Sequence, residues 1–222
     1  MLSPRMQAIT SLLGRNNLVA DIGCDHGKLS VYLLKNELAN VVYATDISSL
    51  SLEKAKKLAQ KENITNISFY IGDGFLCLPQ RPDAAIIAGM GGEVIANIIE
   101  NDFAKTKLVL QPMKDTDILY KKLYELGFYI EKVMIVRESN RFYEVILALP
   151  GVDKPFDYDL PPIERLIHND DALLFLNHKR LVLSKALDGA LKANNFKGKE
   201  RYNELNKKIQ MIDGVINNGY SK

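Results

Sequence analysis

Residues 18 to 29, Leu-Val-Ala-Asp-Ile-Gly-Cys-Asp-His-Gly-Lys-Leu, constrain the fold more than any other stretch of this chain. A short apolar run, Leu18 to Ile22, predicts a buried strand; Gly23 and Gly27 punctuate the turn that follows. Leu29, Tyr32 and Leu33 then fall on one face of a helix. Glycines serve where backbone passes close to a ligand, and a helix N-terminus beside them favours polar or anionic groups. That describes any nucleotide-binding βα turn, and the acids decide which kind. Asp21 sits two residues before the first glycine, and Asp25 stands where a dinucleotide fold usually places its second glycine. A carboxylate there repels a pyrophosphate but suits an ammonium and a sulfonium, the charge pattern of S-adenosylmethionine.

Two more acids extend the pattern. Val41 to Thr45 reads as a second strand with Asp46 at its end, about twenty residues past the glycine turn, where a carboxylate meets ribose hydroxyls. A third strand, Ile67 to Ile71, runs into Gly-Asp-Gly, so Asp73 faces the adenine end of the same crevice. Any one strand-end Asp is more often a cap or turn former. Three on successive βα units make a cofactor site.

The rhythm of the chain supports this. After a helix over about Pro4 to Leu13, strands are expected near 18–22, 41–45, 67–71, 84–88 and 107–111, with helices near 27–36, 48–62, 91–100 and 115–126. Alternating βα units imply a parallel sheet covered by helices on both faces. Ile130 to Arg137 and Phe142 to Leu149 break the alternation, being joined only by Glu138-Ser139-Asn140-Arg141, and so pair antiparallel. The fold class is therefore α/β: a Rossmann-like class I methyltransferase domain with a mostly parallel seven-stranded sheet closed by an antiparallel hairpin. This domain is expected over residues 1–150, followed by a proline- and aspartate-rich linker at 151–162.

Residues 163–222 read as a helical coiled-coil hairpin. Leu166, Leu173, Leu176, Leu183 and Leu187 form one seam, and Tyr202, Leu205, Ile209, Ile212 and Ile216 the other, with a turn expected over Asn194 to Lys199. Net charge is only +2, but it is unevenly spread: residues 1–150 carry 17 basic and 17 acidic side chains, whereas residues 172–222 carry ten and four. A cationic helical extension on a neutral domain is what an enzyme of a polyanion has, although a solvated lysine-rich surface looks the same. No run is long enough to span a bilayer and the N-terminus is not signal-like, so a cytoplasmic protein with no membrane association is expected. Cys24 and Cys77 have no CxxC spacing, and the three histidines form no metal-type cluster, so no metal is expected.

After the fourth strand the chain reads Ala88-Gly89-Met90-Gly91-Gly92, where enzymes of exocyclic amines have an (Asp/Asn)-Pro-Pro-(Tyr/Phe) turn. Ring nitrogen, oxygen and carbon acceptors stay open. Together, Asp-Ile-Gly-Cys-Asp-His-Gly, Ala-Thr-Asp-Ile-Ser, Gly-Asp-Gly, Ile-Ala-Gly-Met-Gly-Gly-Glu, Leu-Gln-Pro and Phe-Tyr-Glu-Val-Ile resemble the bacterial tRNA (adenine22-N1)-methyltransferases, the TrmK family, from about Leu2 through Leu149. Two positions depart from that pattern: Gly27, where relatives often have alanine, and Met113, where asparagine is expected.

The resemblance implies methyl transfer from S-adenosylmethionine to N1 of A22 in tRNA, with no obligate protein partner evident. Asp25 is the first catalytic candidate and His26 the second. The cofactor-binding set is Asp21, Gly23, Cys24, Gly27, Asp46, Ile47, Asp73, Gly74, Gly89 and Met90. Arg5, Lys28 and Arg141 are expected to meet phosphates at the pocket mouth, and Tyr143, rather than Phe142, to stack on the target base. Lys179, Arg180, Lys185, Lys207 and Lys208 are expected to grip the tRNA body. The competing readings are a methyltransferase of a small molecule or protein that dimerises through its helices, a non-catalytic S-adenosylmethionine-binding module, and a dehydrogenase.

Overall fold

In the computed structural model, which describes residues 2–101, 106–152, 154, 156–192 and 196–219, the predicted alternation becomes one seven-stranded sheet. Its strands are β1 (Asn16–Ile22), β2 (Ala39–Asp46), β3 (Ile67–Ile71), β4 (Ala84–Met90), β5 (Lys107–Pro112), β6 (Phe128–Glu138) and β7 (Arg141–Pro150), in the order β3-β2-β1-β4-β5-β7-β6. β1 to β5 pair parallel, while β7 runs antiparallel to both β5 and β6. The order reverses between β1 and β4. At such a switch point neighbouring loops diverge to opposite faces and leave a crevice above the strand ends.

Helices follow the sequence punctuation. α1 (Pro4–Leu13) starts at Ser3, whose hydroxyl accepts the Met6 N–H at 3.4 Å, with Pro4 at the first helical position; it ends at Gly14 with φ 62°. α1, α2 (Lys28–Lys35) and α3 (Ser49–Lys61) cover one face, where Ile9, Leu13, Leu29 and Leu33 pack against Val19, Ile86 and Val109. α4 (Gly92–Glu100) and α5 (Thr116–Glu125) cover the other, with Ile95, Ile99, Leu119 and Leu123 against Ile22, Ile87 and Leu110. Alternate residues of each strand thus serve opposite cores. The β6–β7 turn holds Ser139 and Asn140 at positive φ, the conformation a two-residue hairpin connection requires.

The C-terminal helices are α6 (Asp170–Lys192) and α7 (Phe196–Gly219). Their base is not a separate lobe: Leu160, Ile163, Leu166, Phe175, Leu176 and Ile212 are buried in the same cluster as α4 and α5. The proline-rich stretch packs too, with Phe156 edge-on to Tyr120 at 5.5 Å and to Tyr158 at 4.9 Å.

Two details correct the seam reading. Leu166 lies before α6, beyond a short 3-10 turn, and bridges Val133 of β6, so its burial comes from the sheet and not from a helix seam. α7 already begins at Phe196, so Gly198 sits inside its first turn; residues 194 and 195 of the expected turn lie outside the described residues. A glycine is tolerated in that first turn because few intrahelical bonds depend on it. No described helix is long and apolar enough to cross a membrane.

Candidate functional site

A cavity of about 850 Å³ opens above the switch point. The ends of β1, β2, β3 and β4 all reach it, together with the first turn of α1 and one face of α4. Of the sequence-predicted residues, Asp21, Gly23, Cys24, Asp25, His26, Asp46, Ile47, Asp73, Gly74, Gly89 and Met90 line it, as do Arg5 and Lys28. Gly27, Arg141 and Tyr143 do not.

Asp21, at the end of the central strand, is 4 % exposed and accepts the Ser30 hydroxyl at 2.5 Å. Burial pushes its pKa up to about 6, against the pull of that hydrogen bond. Asp46 ties two loops together: one oxygen accepts the Asp25 N–H at 3.0 Å and the other the Ser48 N–H at 2.9 Å. Those bonds hold Asp25 at φ 49°, with its carboxylate 73 % exposed at the rim. Beside it, His26 Nε2 lies 3.5 Å from Asp25 and 3.1 Å from the Lys54 ammonium. Cys24 is a buried packing residue against Ala44, Leu52 and Ala55, and burial holds its thiol far above the ordinary range.

The glycines divide by task. Gly89 sits at φ 80° with open space around it, where the β4–β5 register shifts between Ala88 and Met90. Such a bulge beside a cavity re-aims backbone toward it. Met90 folds back over Gly23, its methyl 2.1 Å from where a Cβ on that glycine would stand. Gly92 answers to packing, since a Cβ there would stand 2.0 Å from the Asp115 carbonyl. Gly27, at φ 70°, packs against Ala55 of α3 instead of facing the cavity.

The substrate-side expectations are redistributed. Arg141 is exposed at the hairpin turn, away from the cavity lining. Phe142 packs on Phe175 of α6 at 5.7 Å, on the far side of the sheet. Tyr143 faces α1 but is only 9 % exposed, because the Arg5 guanidinium covers its ring at 4.6 Å. Lys208 leaves the expected RNA-gripping set: its ammonium is buried between Asp157, Asp159 and Glu204 at 3.1, 2.7 and 2.9 Å. Arg180 pairs with Asp213 at 2.5 Å. Lys179 lies over the Phe175 ring at 5.4 Å.

Several lining residues went unnoticed in the sequence. Val94, Asn97, Ile98 and Asn101 recur every three to four residues along α4, a signal that periodicity carries. Thr45 is fully buried, lines the cavity, and its hydroxyl has no partner among the described residues. Buried hydroxyls are normally satisfied, so this one suits a ligand's polar group. The acids at three strand ends, the apolar Ile47, Val94 and Ile98, and the bare backbone at Gly89 fit a ligand that joins an adenosine to a cation. In the glycine turn the backbone amides of Gly23, Cys24, Asp25 and Gly27 are already taken, by the Thr45 carbonyl twice, the Asp46 carboxylate and the Cys24 carbonyl, and so are not offered to a pyrophosphate.

Residues 2–146 match the family model described as a methyltransferase domain. The tRNA (adenine(22)-N(1))-methyltransferase of Bacillus subtilis is 32% identical over 164 residues, covering 71% of this chain and 68% of that protein. The crystal structure of the B. subtilis m1A22 tRNA methyltransferase TrmK superposes with a TM-score of 0.74 at 26% identity, covering 97% of this chain and 99% of that one. That of M. capricolum TrmK, in complex with the cofactor product S-adenosyl-homocysteine, gives 0.79 at 25% identity over 96% and 98%.

Proposed function

The chain belongs to the methyltransferase-domain family and within it to the tRNA (adenine(22)-N(1))-methyltransferases, and on that premise we propose that it transfers a methyl group from S-adenosylmethionine to N1 of adenine 22 in tRNA. The observation that carries this reading is the convergence of Asp21, Asp46 and Asp73 with the Gly89 bulge on one cavity. A tRNA substrate supports a cytoplasmic location.

When bound, S-adenosylmethionine supplies an electrophilic methyl group on a cationic sulfur. Asp21 and the backbone at Gly23, with Cys24 beside it, receive the charged amino-acid end. Asp46 offers its remaining lone pairs to ribose hydroxyls, and Ile47, Asp73 and Gly74 receive the adenine. Gly89 and Met90 border the reacting centre. Gly27 contributes indirectly, by letting α2 and α3 approach and so fixing the turn that precedes it.

Adenine N1 carries a lone pair, so no strong base is needed before attack. Catalysis then rests on positioning and electrostatics. The base becomes cationic until a proton leaves N6. Asp25, exposed at the rim beside the glycine turn, stabilises that charge, and the adjacent His26 orients toward the same space. N1 lies on the pairing edge, so the nucleotide must be unpaired or flipped to reach the cavity. Lys28 at the rim and Arg141 at the hairpin turn supply charge to flanking phosphates, while Lys179, Lys185 and Lys207 remain for the tRNA body.

The test is incubation with unmodified tRNA and labelled S-adenosylmethionine, followed by nucleoside analysis. Label in 1-methyladenosine is the expected result, with position 22 then read from its loss in tRNA carrying another base there. Cofactor binding without label in RNA would transfer the function to a small-molecule or protein acceptor.

A further inference from the structure

Arg5 was expected to meet a phosphate, yet its surroundings leave little charge to offer one. Its Nε donates to Glu138 at 2.5 Å, and its Nη1 donates to Gln111 Oε1 at 3.3 Å and contacts the Met113 sulfur at 3.1 Å. The guanidinium carbon lies over the Tyr143 ring, 4.6 Å from its centroid. Four elements thus fix one planar group: α1 carries it, β7 supports its face, and β5 and β6 hold its edge. Arg5 and Gln111 both line the cavity, and the Arg5 side chain keeps 26% of its surface exposed. The part of Arg5 that reaches the cavity thus belongs to an ion-paired guanidinium held over a ring.

We propose that Arg5, braced by Tyr143 and Glu138, is the stacking platform for the target adenine. Unpaired bases in RNA sites stack on guanidinium planes as readily as on aromatic rings. This explains why Tyr143 is buried: it supports the platform instead of serving as one. Met113, where the family pattern has asparagine, completes the edge through its sulfur. Glu138 is a positioning residue with a second effect. It cancels the charge of Arg5, so a base turning cationic during methyl transfer does not meet an uncompensated cation.

The inference rests on the proposed function and is separable from it. Binding of intact tRNA is compared with binding of the same tRNA carrying an abasic nucleotide at position 22. Arg5→Lys keeps the charge but removes the plane. It should weaken intact tRNA by about tenfold, within the range of base-stacking contributions, and leave the abasic tRNA and cofactor affinity unchanged. Glu138→Gln keeps an acceptor for Nε but uncovers the charge, so kcat should fall several-fold with KM nearly unchanged. Arg5→Lys that binds intact tRNA normally, or that weakens both tRNAs equally, overturns the platform. Arg5→Ala that lowers the salt dependence of binding by about one phosphate contact also overturns it. Wild-type protein that leaves tRNA unmethylated overturns the functional reading, and the platform with it.

Discussion

The two oxygens of Asp46 are both committed to backbone: one accepts the Asp25 N–H at 3.0 Å, the other the Ser48 N–H at 2.9 Å. One carboxylate at the end of β2 therefore fixes the glycine turn after β1 and the entry to α3. An amide side chain cannot reproduce this, because its NH2 would oppose one of the two donors. Asp46→Asn should thus resemble Asp46→Ala, each weakening S-adenosylmethionine binding by at least about tenfold and costing about 1–3 kcal/mol of stability. Calorimetric titration and thermal unfolding read both. An Asn variant close to wild type would mean that one bond suffices.

Asp21 sets opposing pH dependences for stability and binding. Its pKa is raised by burial from 3.8 to about 6, so the folded protein holds the proton more tightly than the unfolded chain. The stability this confers is present below pH 3.8 and is lost as pH rises through about 6. Asp21→Asn should therefore stabilise the cofactor-free protein at pH 7.5, by up to about 3 kcal/mol. Cofactor affinity should run the other way, rising with pH through the same region as the carboxylate ionises to meet a cation. Melting temperature and calorimetric affinity measured between pH 5 and 8 check both signs.

Gly27 is held by Ala55. A Cβ at Gly27 would stand 2.7 Å from the Ala55 Cβ, and its φ of 70° disfavours any other residue. Gly27→Ala should cost about 1–2 kcal/mol in urea unfolding, the left-handed penalty plus overpacking. Ala55→Gly in the same chain should recover the packing part but not the backbone part. Additive costs would show that the two residues do not conflict.

Lys208 spends all three ammonium protons on Asp157, Asp159 and Glu204. Burial by itself would lower its pKa, but the three carboxylates raise it above the ordinary lysine range. Lys208→Met should loosen α7 from the proline-rich stretch, at a cost of about 1–3 kcal/mol. The partly exposed acids relax into water and keep the cost at the lower end. The salt dependence of tRNA binding should not change. Lys207→Ala, if Lys207 meets a phosphate, should reduce the slope of log Kd against log salt by about 0.7–0.9. Point substitution is the right tool here, since a chain cut near Pro150 would strip Leu160, Ile163, Phe175 and Ile212 from the shared core.

The sheet and the acid-bearing wall of the cavity were legible in the chain alone. Period, glycine and acids near strand ends are local signals: Asp21 and Asp46 lie in the last two residues of β1 and β2, Asp73 two residues past β3, and parallel pairing puts these strand C-termini at one edge. The face of α4 carrying Val94, Asn97 and Ile98 has the same local, helical spacing, but its apolar residues look like any core face until the cavity beside them is formed. Only the tertiary structure decided which charges are spoken for. Arg5 and Glu138 are 133 residues apart, and Lys208 and Asp159 are 49 apart. No periodicity links such pairs. Whether a cation meets solvent, a carboxylate or a ring depends on how α1 and α7 dock, and docking is the summed outcome of distant apolar contacts. That is why the expected phosphate ligands became a braced plane at Arg5 and a buried lock at Lys208.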